Sequence, residues 1–159
     1  MNCFYIISDT KKDYRLESAE EIKRYLEKNK KCAKIVGNAS QVPADDKDSF
    51  VIVLGGDGSV LQAAKYLAGT GIPILGVNFG TLGFLTEVEK PRILEALDLI
   101  LTGHYEIEER MAITARHEWE DAGRPVMAFN EFIVGKRDFG HMMLSLIHIS
   151  EPTRLRRIS

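Results

Sequence analysis

Apolar positions along this chain fall into short unbroken runs and stripes at helical spacing, and the two kinds alternate. Cys3-Phe4-Tyr5-Ile6-Ile7-Ser8 reads as a short strand, and a polar loop runs from Ser8 to Lys12. Leu16, Ala19, Ile22, Tyr25 and Leu26 then mark one face of an amphipathic helix, with Glu20, Glu21, Lys23, Arg24 and Glu27 on the solvated side. A second strand is expected at residues 32–36 and a polar connector at 43–48. Residues 50–54, Phe-Val-Ile-Val-Leu, form an uninterrupted apolar run that stops at two glycines, the pattern of a strand buried on both faces. Val60, Leu61, Ala64, Leu67 and Ala68 resume helical spacing, so Gly55-Gly56-Asp57-Gly58 is a turn between a strand end and a helix start.

The alternation continues. Gly69-Thr70-Gly71 breaks the chain, and residues 72–77 read as another buried strand, with Pro73 at its beginning where a missing N–H is tolerated. That strand feeds into Asn78-Phe79-Gly80-Thr81-Leu82-Gly83-Phe84, a second glycine-bearing loop at the same edge of the sheet. Pro91 opens a helix with a stripe of Ile93, Leu94, Leu97, Ile100 and Leu101, and Gly103 closes it. From Tyr105 the period drops to two: Tyr105, Ile107, Glu109, Met111, Ile113 and Ala115 alternate with their neighbours as in a strand. A turn follows at 121–125 and a second apolar strand at 126–134. The expected fold class is α/β: an open parallel βαβ sheet domain over 1–103, then the opening β-hairpin of a truncated β-rich second domain over 104–143.

Composition narrows the classes. At 159 residues and 45% hydrophobic, the chain is long enough to bury a core. No apolar run approaches the ~18 residues of a membrane span, and the first residues lack the basic start and long apolar middle of a signal peptide, so no membrane partner and a cytoplasmic location are expected. A net charge of −2 with both signs interspersed gives no basic footprint for nucleic acid. Cys3 and Cys32, each in a strand beside apolar neighbours, read as buried reduced thiols.

The chemistry concentrates at the two glycine-bearing loops. Glycines let a backbone approach an anion, and a helix N-terminus adds free N–H groups and the positive end of a dipole, so the turn at 55–58 suits phosphate. Asp57 is the odd member, because a carboxylate repels phosphate. It either takes a proton from a hydroxyl or holds a metal in phosphoryl-transfer chemistry, or it caps the helix. Asn130 and Glu131 are polar residues inside an apolar run, so they either pair with each other or point at a ligand.

Taken together, four features resemble the NAD kinase family: Gly55-Gly56-Asp57-Gly58 after a strand, residues 77–85 (Val-Asn-Phe-Gly-Thr-Leu-Gly-Phe-Leu), Glu109-Arg110, and Asn130-Glu131. The resemblance covers residues 50 to about 137, and it implies an ATP-dependent kinase that phosphorylates the 2'-hydroxyl of the adenosine ribose of NAD to give NADP. It implies that Asp57 takes the hydroxyl proton and that Gly55, Gly56 and Gly58 shape the phosphate-side turn. Asn130 and Glu131 would hydrogen-bond the nucleoside, Asn78 and Gly80 would shape the neighbouring loop, and Phe84 would line the adenosine pocket or serve as an ordinary core aromatic. A divalent cation, usually magnesium, would neutralise the triphosphate, and no protein ligand for it is identified. The partners are then small-molecule nucleotides, and the parent protein is expected to be a homo-oligomer. Two alternatives from other classes are a non-catalytic nucleotide-binding module, which has no need of a base at 57, and a lipid or sphingoid kinase, which needs an apolar groove.

The family continues into a β-rich domain with a further nucleotide loop. Here residues 144–154 instead resemble the translated read-through of a transposase-type sequencing-library adapter, so 144–159 is expected to be a foreign tail, the alternative being a real amphipathic strand. Removing it takes away three Arg and one Glu, a net +2, and leaves −4. Without the second nucleotide loop, the 159-residue chain itself is expected to be catalytically silent.

Overall fold

The computed structural model describes residues 3–8, 13–80, 83–115, 126–129 and 153–158. Strands β1 (Cys3–Ser8), β2 (Cys32–Val36), β3 (Ser49–Gly55) and β4 (Ile74–Asn78) are parallel and stand in the order β2-β1-β3-β4. The chain therefore steps outward from β1 to β2 and returns to place β3 on the other side of β1, which makes the carboxyl ends of β1 and β3 the switch point where open α/β sheets bind ligands. A two-residue strand that the hydrophobic pattern does not reveal, β5 (Val88–Glu89), pairs with the end of β4.

Helices cover both faces because the strands are apolar on both. Phe4, Ile6, Phe50, Ile52, Leu54, Leu75 and Val77 point toward α1 (Glu17–Lys28) and α3 (Ile93–Leu101), meeting Ala19, Ile22, Leu26, Leu97 and Ile100. The alternate residues Tyr5, Val51, Val53 and Ile74 meet Val60, Ala63, Ala64 and Leu67 of α2 (Asp57–Leu67) on the other face. Phe50 is fully buried between Phe4, 5.4 Å away, and the edge of Tyr105, 6.4 Å away, and a side chain of this size contributes roughly 1.5–3 kcal/mol by leaving water. Tyr25 of α1 hydrogen-bonds Asp98 of α3 and ties the two helices on that face. Gly103, at φ +80°, ends the last helix in a conformation that side chains disfavour. Among the described residues, no helix is long and apolar enough to cross a membrane.

Several expectations are corrected. The fourth strand starts at Ile74 rather than residue 72, since Pro73 has no N–H for the ladder; its carbonyl instead accepts from Val51 N at 3.0 Å. Cys32 is exposed, not buried, because β2 is an edge strand; it is the register partner of Cys3 and the two free thiols lie 2.6 Å apart. Burial, then the Cys32 thiol, pushes the pKa of Cys3 up to about 11. The alternating strand is found as β6 (Ile107–Ala115), paired antiparallel with β7 (Val126–Ala128), but its apolar residues do not turn inward. Met111 is 61% exposed while Ala112 is buried, because among the described residues no second layer covers the Ile107 and Met111 face. Outside these corrections, the segment expected to be foreign contains strand β8 (Thr153–Ile158), which pairs antiparallel with β6 from Ile107↔Ile158 to Ala112↔Thr153, and with β4 at Ile74↔Arg157.

Candidate active site at the carboxyl edge

Gly55 and Asn78 end adjacent strands as register partners, and Phe79 N donates to Gly55 O at 3.2 Å, so both glycine-bearing loops leave the sheet side by side. Gly56 is the extended residue before α2, and Asp57 is the first residue of that helix. The N-cap of α2 is Gly56 and Asp57 lies inside the helix, which corrects the capping alternative. Its carboxylate reaches across to the second loop, where Oδ2 accepts from Phe84 N at 2.8 Å and Oδ1 from Leu85 N at 2.9 Å. A Cβ at Gly58 would meet no atom within 4 Å, so α2 has open space at that position of its first turn.

Asn78 is buried and holds the loop that follows it: its Nδ2 donates to Gly80 O at 3.0 Å and its Oδ1 accepts from Gly80 N at 2.9 Å. Gly80 itself is exposed, with free space where a side chain would be. Phe84 is 91% exposed, which removes the core-aromatic alternative. Lys90, just past β5, places its ammonium 4.9 Å from the centre of the Phe79 ring and puts a cation at the same edge. Thr81 and Leu82 lie outside the described residues, and so do Asn130 and Glu131. Arg110 of the Glu109-Arg110 pair bonds Glu108 at 3.0 Å on β6.

Sequence reasoning missed four residues. Thr86 is buried and its hydroxyl accepts from Gly83 N at 3.3 Å. Gly76 lies under the second loop, where a Cβ would come 2.8 Å from Leu85 O and 2.9 Å from Val60 Cγ2. Gly83 packs against Asp57. Asp13, after β1, is 2% exposed and accepts from Ser18 N at 3.0 Å, Ala19 N at 3.2 Å and the Ser8 hydroxyl at 2.9 Å. Burial raises its pKa, but these hydrogen bonds outweigh that and the net shift is downward.

The arrangement is a carboxylate held by backbone amides between two open glycine-bearing loops, next to an exposed aromatic ring and a helix N-terminus. The description ATP-NAD kinase N-terminal domain matches residues 4–105. The NAD kinase of Lachnoclostridium phytofermentans is 36% identical over 153 residues, covering 90% of this chain and 54% of that protein. The NAD kinase of Heliobacterium modesticaldum is 46% identical over 95 residues, covering 59% and 34%. The chain thus spans about half the length of the curated relatives it matches, or less. Among solved structures, an Archaeoglobus fulgidus NAD kinase in complex with ATP aligns with a TM-score of 0.55 at 18% identity, over 70% of this chain and 41% of that one. A yeast NADH kinase complexed with NADH aligns at 0.53 and 14%, over 80% and 46%. Identities this low speak for the fold, and the family rests on the domain match: the chain belongs to the NAD kinase family, whose N-terminal domain it carries in residues 4–105.

Proposed function

We propose that this chain is the base-bearing part of a cytoplasmic, homo-oligomeric NAD kinase that transfers the γ-phosphoryl group of ATP to the 2'-hydroxyl of the adenosine ribose of NAD. The observation that carries the reading is the environment of Asp57: a carboxylate at the switch point, turned away from its own helix, beside two loops with room for a ligand backbone. In the reaction the ribose oxygen attacks the γ-phosphorus, the bond from that phosphorus to the bridging oxygen breaks, ADP leaves with the electron pair, and Asp57 takes the hydroxyl proton. The α2 N-terminus and the Gly55-Gly56-Asp57-Gly58 turn face the phosphates. Phe84 stacks on the adenosine, and Asn130 and Glu131 hydrogen-bond the nucleoside. Support for these ligands comes from the relatives, one NAD kinase bound to ATP and one NADH kinase bound to NADH. Among the described residues no group of three His, Cys, Asp or Glu side chains is placed to hold a metal, and both Asp57 oxygens face amides. The described residues therefore do not build a resident cation site, and in this reading magnesium enters with ATP as part of the substrate.

The test is NADP formation in a chimera that continues residues 1–143 into the C-terminal half of the Lachnoclostridium phytofermentans relative. It converts NAD and ATP to NADP, Asp57→Asn lowers the rate about 10²-fold or more with NAD binding kept, and the 159-residue chain alone makes none. Full turnover in the Asn variant would remove Asp57 from its role. Residues 144–159 have no part in this function; deleting them leaves the thermal midpoint of the chain unchanged or higher, and a clear drop would assign β8 to the fold.

A further inference from the structure

Asp57 belongs to α2 by sequence, but the second loop holds its carboxylate, and among the described residues backbone amides do the holding. Phe84 N and Leu85 N take one oxygen each. Gly83 presses its bare Cα against the same group: a Cβ there would lie 2.7 Å from Oδ2 and closer still to Cγ and Oδ1, nearer than real Cβ contacts come. All three nearest atoms are those of Asp57, and Gly83 is outside the left-handed region. The need for glycine is therefore one of space rather than backbone conformation, and one side chain creates it. Thr86 fixes the approach from behind through its hydroxyl, and the missing side chain at Gly76 lets Leu85 O and Thr86 Cα rest on β4.

We propose that Gly83 is the positioning residue for Asp57. By leaving room for the carboxylate it allows the next two amides to bind one oxygen each, which fixes the carboxylate plane and aims the remaining lone pairs into the cleft. The proposal rests on the reading of Asp57 as the base, and the experiment has two arms so that the two can fail separately.

The first arm is a double-mutant cycle on the thermal midpoint of the 159-residue chain. Gly83→Ala is expected to lower the midpoint by about 4 °C or more, and in an Asp57→Ala background the same substitution lowers it by no more than about 1 °C, because the atoms it strikes are gone. Equal losses in both backgrounds, or no loss with Asp57 present, would overturn the proposal. If Gly83→Ala alone does not fold, a folded double variant supports it and an unfolded one overturns it. The second arm uses the chimera: Gly83→Ala lowers kcat about 10-fold or more while KM for NAD stays within about 2-fold, and an unchanged kcat overturns the positioning role. A chimera with no NADP formation sinks the kinase reading and leaves the midpoint cycle to judge Gly83.

Discussion

Helices α1 and α2 both leave the same edge of the sheet after a parallel strand, and each carries an aspartate near its start, yet the two carboxylates are used in opposite ways. Asp13 turns back on its own helix and accepts from Ser18 N and Ala19 N, with the Ser8 hydroxyl as a third donor. It fills the N-terminus of α1 with the protein's own negative charge. Asp57 leaves α2 uncapped and takes its donors 27 and 28 residues along the chain. The N-terminus of α2 is then left without a side-chain cap. A carboxylate whose donors are all local completes a helix, whereas one whose donors come from a second loop organises a cleft.

The contrast breaks most visibly in turnover. In the chimera, Asp57→Asn costs about 10²-fold or more in NADP formation while Asp13→Asn costs less than about 10-fold, and similar losses at both positions would erase the distinction. In urea unfolding of the 159-residue chain the ranking reverses. Asp13→Ala lowers the unfolding free energy by about 2–3 kcal/mol because buried amides lose an ionised acceptor, and Asp57→Ala, whose donor Phe84 is exposed, costs about 1 kcal/mol. The smallest effect is in acid. The folded pKa of Asp13 lies below its ordinary 3.8, so its contribution is complete above that value and is lost as pH falls through the folded pKa. Asp13→Asn flattens this part of the stability profile below pH 3.8, and an unchanged profile would show that the carboxylate stabilises nothing.

The strands and helices were legible where burial imposes a pattern. β1 and β2 match their apolar runs residue for residue, and the buried β3 differs from its run by one residue at each end. The Asp57 turn was legible because glycines and a helical stripe meet there. The partners of Asp57 were not, since Phe84 and Leu85 contribute main-chain N–H groups that every non-proline residue has. Asp13 escaped notice for a related reason: it reaches Ser18 and Ala19 only because Arg15 and Leu16 adopt φ of 55° and 58°, and neither residue type announces a left-handed turn. Gly76 and Gly83 are legible as members of a strand and of a glycine-bearing loop, but the atoms that crowd them come from Leu85, Val60 and Asp57, which no local pattern reveals. β6 departed from its alternating pattern because such a pattern states which face is apolar, not whether anything lies over it.

The attachment of Asp57 through backbone amides separates two tasks that active sites usually entangle. The Phe84 amide secures the carboxylate while its side chain is 91% exposed. Position 84 is thus interchangeable: leucine, tyrosine or histidine offers the same N–H to Asp57 and a different surface to whatever ring arrives. On the role proposed for Asp57, ligand preference can drift at this position, by selection or by engineering, while the hold on the carboxylate stays put.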